Sequence, residues 1–87
     1  MKAFLYSVKD NVAGRFLAPN LFPSDLVMKR AVGSAVNGSA GTLLADYPGD
    51  CAIYKVGEFD DETGKIELGD PEFLFNAIDL KEVKADA

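Results

Sequence analysis

Residues 51–68 hold two strand-like runs, Cys51-Ala52-Ile53-Tyr54-Lys55-Val56-Gly57-Glu58-Phe59 and Lys65-Ile66-Glu67-Leu68. Between them lies one short connection, Asp60-Asp61-Glu62-Thr63-Gly64. β-Branched and aromatic residues on either side of a Gly-containing turn specify an antiparallel hairpin. A two-stranded hairpin is at best marginally stable in water, so the rest of the chain has to cover one of its faces.

The flanking segments supply that cover. Residues 2–9 read as a strand in which Phe4, Tyr6 and Val8 alternate with Ala3, Leu5 and Ser7. Asp10-Asn11-Val12-Ala13-Gly14 is a turn, Arg15-Phe16-Leu17-Ala18 a short return strand, and Pro19 and Asn20 close it. Ser24 is placed to cap a helix, with Asp25 at the positive end of its dipole. Met28, Ala31, Val32, Ala35 and Val36 then recur at helical spacing and give one apolar stripe. Asn37-Gly38-Ser39-Ala40-Gly41 offers left-handed C-cap geometry, which sets the helix at about residues 24–37. Residues 42–47 read either as a short strand or as an irregular lead into the turn Pro48-Gly49-Asp50. Asp70-Pro71-Glu72 resembles a second helix start running through Phe73, Leu74 and Ala77, while residues 78–83 alternate like a late strand. The expected fold is α+β: a small antiparallel sheet of three to five strands, including the 51–68 hairpin, packed with one main helix.

Eighty-seven residues are enough for one domain spanning 1–87, with fraying expected from about residue 84. Nearly half the residues, 48%, are hydrophobic, so the chain can fold alone with a stability of about 5–10 kcal/mol. So small an apolar-rich domain is also expected to gain from forming a homo-oligomer. Phe4, Phe16, Phe22, Phe59, Phe73 and Phe75 are the candidate aromatic core.

Most enzyme chemistry is excluded by what the chain lacks. There is no histidine, which removes the usual neutral-pH base, the commonest metal ligand and every His-dependent triad. The single cysteine, Cys51, sits among apolar residues of a strand and reads as a buried thiol. It permits no intramolecular disulfide and indicates a reducing compartment. Asp60-Asp61-Glu62 does not match the spacing of a calcium loop and reads as a hairpin turn. Gly38-Ser39-Ala40-Gly41 follows a helix and lacks the lysine of a phosphate-binding loop. No catalytic residues, metal or cofactor are expected, and no run approaches the length of a membrane span. The chain is expected to bind something and to do so in the cytosol.

Net charge is −5, unevenly placed. Residues 1–30 carry five bases and two acids, residues 31–87 four bases and twelve acids. Lys2, Lys9, Arg15, Lys29 and Arg30 are therefore the candidate phosphate contacts for nucleic acid. Tyr6 near Lys9, and Tyr54 beside Lys55, combine a stacking face with a cation, as single-strand binding requires.

Tyr47-Pro48-Gly49-Asp50, Ile53-Tyr54-Lys55-Val56-Gly57-Glu58-Phe59-Asp60 and Glu62-Thr63-Gly64-Lys65-Ile66 together resemble the small nonstructural protein of gokushovirus-type microviruses, single-stranded DNA phages. The opening strand ending in Tyr6-Ser7-Val8-Lys9-Asp10 and the helix after a Pro-containing loop fit the same family, over about residues 2–80. The resemblance implies a non-enzymatic protein made in the host bacterial cytoplasm and left out of the mature capsid. It implies association with single-stranded DNA and a part in the switch from duplex replication to single-strand packaging. The alternative is a protein-interaction module that binds a viral replication protein or host factor without touching DNA.

Overall fold

The computed structural model describes residues 2–82. Its elements run β1 (Lys2–Asp10), β2 (Arg15–Phe16), β3 (Asn20–Phe22), α1 (Asp25–Val36), α2 (Leu43–Asp46), β4 (Cys51–Asp60) and β5 (Ile66–Asn76), with 3-10 turns at Pro48–Asp50 and Ala77–Leu80. The sheet is antiparallel throughout, in the order β2-β1-β4-β5, with β3 on the same edge of β1 as β2. One main helix lies on one face. This is the α+β arrangement that the hairpin and the helical stripe specify.

Two turns share one design. Asp10 Oδ1 accepts from the Val12 N–H, and Asp60 Oδ1 accepts from the Glu62 N–H. Gly14 and Gly64 then donate back to the Asp10 and Asp60 carbonyls with φ of 69° and 73°, a left-handed conformation that glycine adopts without strain. The first turn sends the chain back along β1. That return runs further than a strand at 15–18: β2 and β3 follow one path interrupted at Leu17–Pro19, where the register against β1 slips by one residue. Ser7 Oγ donates to the Leu17 carbonyl and satisfies the interruption.

Ser24 caps α1 as its sequence position indicates, its Oγ accepting from the Val27 N–H. Met28, Val32 and Val36 are buried against the sheet, Ala35 is half-buried, and Ala31 is exposed at the edge of the stripe. The helix ends without a left-handed residue at Asn37 or Gly38. Asn37 instead clamps the terminus, its Nδ2 donating to the carbonyls of Gly33 and Leu80 and its Oδ1 accepting from the Glu82 N–H. Residues 43–46 are neither strand nor irregular but a helical turn capped by the Thr42 hydroxyl.

The second helix at Asp70-Pro71-Glu72 does not form, because β5 continues through it to Asn76. β5 is an edge strand, and between its pairs Lys55↔Glu72 and Gly57↔Leu68 the residues Gly69, Asp70 and Pro71 stand opposite Val56 alone. A proline without an N–H is tolerated at such an irregular edge position. The late strand expected at 78–83 is replaced by the 3-10 turn Ala77–Leu80, which packs Ala77 and Leu80 against the core. Val83 and the fraying expected from residue 84 lie outside the described residues.

The core is small: Tyr6, Met28, Val32, Val36, Cys51, Ile53 and Ala77, flanked by Phe4, Val8, Phe22, Leu74 and Phe75. Cys51 is fully buried, and burial, reinforced by Asp10 and Asp50, pushes its thiol pKa up. Phe16 and Phe73, expected in the core, are about half exposed. Among the described residues no helix is long and apolar enough to cross a membrane.

Candidate functional site

Side-chain alternation along β1 puts Phe4, Tyr6 and Val8 towards the helix and Leu5, Ser7 and Lys9 on the opposite, open face. Cross-strand pairing carries this division over the sheet. Val8 pairs with Ile53 on the covered side, whereas Ser7 pairs with Tyr54 and Tyr54 with Phe73 on the open side. Two bulges keep the pattern from being read along β4 and β5 by simple alternation. Leu74 is the extra residue between the pairs Ile53↔Phe75 and Tyr54↔Phe73, and Val56 is the extra residue between Lys55 and Gly57.

The open face consequently carries an aromatic row. Phe16 meets the Tyr54 ring edge-on, with centroids 5.1 Å apart, and Tyr54 meets Phe73 in the same way at 5.7 Å. Phe16 is on β2 and Tyr54 on β4, so their contact crosses β1 at Ser7, whose small side chain lies buried between them. Lys9, the cross-strand partner of Phe16, places its ammonium 5.6 Å from that ring. Three partly exposed rings and one cation thus line one side of a sheet. Such a surface can take flat, apolar ligand groups that also carry negative charge.

The covered face holds a different cluster. The Tyr6 hydroxyl donates to Asp25 Oδ1, and Lys55 Nζ lies 3.1 Å from the same carboxylate and 4.4 Å from the Phe4 ring centroid. Burial, then the hydrogen bond and charge of Asp25, raise the Tyr6 pKa well above the usual tyrosine range. The Tyr6 hydrogen bond chiefly holds Asp25 below the ordinary carboxylate range, against desolvation, with Lys55 and Lys29 adding to the effect. This network ties the first turn of α1 to the sheet.

The residues nominated from sequence do not converge on one site. Tyr6 is 3% exposed and engaged with Asp25, so it is no stacking platform. Lys55 is held by Asp25 and Phe4 on the covered side. Lys2 pairs with Glu58 at 3.6 Å. Lys29 sits over Phe75, and Lys29 and Arg30 are on the exposed side of α1, across the sheet from the aromatic row. Arg15 faces its register partner Asp10 at the end of β1. The five N-terminal bases therefore form no common patch. Lys9 and Tyr54 alone of the eight are brought together on the open face. Phe16 and Phe73 complete their row, and the only sequence signal for them was that they are aromatic and belong to strand-like runs.

A family model described as Phage ORF5 protein matches residues 3–80. No curated protein and no solved structure matches the chain.

Proposed function

The chain belongs to the phage ORF5 protein family, and from that premise we propose that it is a non-enzymatic nonstructural protein of a gokushovirus-type microvirus that holds single-stranded DNA in the infected cell. The observation that carries this reading is the Phe16–Tyr54–Phe73 row with Lys9 beside it. Every base has a π-face, so aromatic side chains on an open sheet bind single strands with little regard to sequence. By coating displaced single strands, the protein would favour packaging over renewed duplex synthesis. An acidic chain with scattered bases draws little of its affinity from phosphates, so stacking has to supply most of it.

The test is a fluorescence titration with single-stranded oligonucleotides at two salt concentrations. Tyr54→Ala or Phe73→Ala should weaken binding by about 1–3 kcal/mol, from under ten-fold to over a hundred-fold. With Lys9 the one nominated base beside the row, the salt slope should stay shallow, about −0.7 on a log–log scale. No binding at low salt, or alanine variants that bind like the wild type, would sink the proposal.

A second reading, an interaction module for a viral replication protein or host factor, is favoured by the exposed apolar residues Leu26 and Val27 at the start of α1. If Tyr54→Ala abolishes DNA binding yet leaves the protein's effect on phage replication intact, this reading replaces the first.

A further inference from the structure

Beyond the Val56 bulge the sheet continues as a three-stranded arm, made of residues 2–5 of β1, 57–60 of β4 and 66–68 of β5. Its two faces differ in chemistry. The side continuous with the helix-covered face carries Lys2, Glu58 and Glu67 and is polar. The open side carries Leu5, Phe59, Ile66 and Leu68, and across β1 it is extended by Leu21. Ile66 is 56% exposed, Leu68 76% and Leu21 47%. Gly57 lies beneath the middle of this patch: a Cβ there would come within 3.1 Å of Leu68 Cδ2 and 3.4 Å of Leu5 Cδ1. The missing side chain lets the two leucines close over the strand and flatten the apolar surface.

We propose that this open face of the arm is a dimer interface, occupied by the same face of a second copy of the chain. The area points to such an occupant. A compact monomer of this mass exposes about 5,000 Å², whereas the chain exposes 5908 Å². The excess, about 900 Å² over the whole molecule, leaves room for the roughly 800 Å² that each partner contributes to a standard interface. The radius of gyration is 14.0 Å, against about 12 Å for a compact chain of this length. The molecule measures 51 × 28 × 20 Å, long for its size. An isologous pairing also suits the patch, because its centre is uncharged and nothing on it repels its own image. The β5 edge, by contrast, carries Glu67, Asp70, Glu72 and Pro71, which disfavour edge-to-edge pairing with a second β5. The Phe16–Tyr54–Phe73 row lies on the other side of the Val56 bulge, outside this patch, so the dimer rests on different residues from the nucleic-acid reading.

Sedimentation equilibrium of the full chain at micromolar to hundred-micromolar concentrations tests this. The wild type should sediment at twice its 9.3 kDa chain mass. Leu68→Glu and Ile66→Glu should each return it to the single-chain mass with an unchanged far-UV spectrum, since both positions are exposed within the chain. Val12→Glu, in the remote first turn, should stay dimeric, and so should Tyr54→Ala whether or not it loses DNA. A wild type that remains monomeric throughout the range overturns the proposal. So does a Leu68→Glu variant that stays dimeric, or a Val12→Glu variant that dissociates equally.

Discussion

β4 runs through two regions built on the same strand chemistry and held by different forces. In the body, Cys51 and Ile53 face α1, and both are fully buried together with Met28 and Val36. In the arm, Phe59 and its neighbours Ile66 and Leu68 alternate just as regularly, yet Phe59 is only half-buried and Ile66 and Leu68 are exposed. The bulge at Val56 and the Gly69–Asp70–Pro71 irregularity opposite it mark the boundary. A strand pattern therefore reports that a face is apolar, not what will bury it. The body obtains its cover from α1, whereas the arm leaves Ile66 and Leu68 exposed.

Truncation should separate the two regions most sharply. Met28 is fully buried, so Met28→Ala removes packed atoms and leaves a cavity that the sheet and helix cannot fill. The expected loss is about 2–5 kcal/mol in urea denaturation. Leu68→Ala, measured at a dilution where the chain is monomeric, should change stability by no more than about 0.5 kcal/mol. Comparable losses at the two positions would mean that the arm is part of the core and the comparison is wrong.

A smaller effect is expected at Gly57, where the arm depends on the absence of a side chain. A Cβ there would lie 2.7 Å from the Glu67 carbonyl oxygen, a backbone atom that moves only if the β4–β5 pairing moves. Gly57→Ala should cost about 1–3 kcal/mol. Its signature is local: faster amide exchange at Phe59 and in residues 66–68, with protection at Ile53 retained. If exchange rises equally in both regions, arm and body unfold as one unit.

What the sequence revealed, and what it did not, divides along similar lines. The 51–68 hairpin, the Ser24 cap and the Met28–Val32–Val36 stripe were legible, because each depends on neighbours a few residues away. Phe16 reads as core because its face is set only by its pairing with Lys9 on β1, and Phe73 because the bulge at Leu74 shifts its parity relative to Phe75. Pro71 read as a helix start because a helical first turn and an irregular edge strand both accommodate a missing N–H. Tyr6 reads as a stacking residue in the sequence because its partner Asp25 is nineteen positions away, on another element. The candidate site was thus only partly visible: Lys9 and Tyr54 were named, but the row that joins them exists only once the strands are ordered.

The contact between Tyr6, Asp25 and Lys55 lies where body meets arm, since Tyr6 pairs with Lys55 immediately before the Val56 bulge. It fastens the start of α1 at that boundary, and its loss should be the mildest of these effects. Tyr6→Phe removes one hydrogen bond to a carboxylate and should cost about 1 kcal/mol at neutral pH. The Asp25 side chain is 50% exposed, so solvent screening keeps the figure from being larger. The pH dependence follows from the direction of the Asp25 shift. Its pKa is lower in the folded chain than in the unfolded one, so its stabilisation is complete above the ordinary carboxylate range. That contribution is lost as pH falls through the folded value. The hydrogen bond from Tyr6 is the largest cause of the shift, so the stability gap between wild type and Tyr6→Phe should narrow on acidification. Urea midpoints at about pH 7 and about pH 2.5 measure it. A gap that stays constant between them would show that Tyr6 holds α1 by packing its ring and not through the ionised carboxylate.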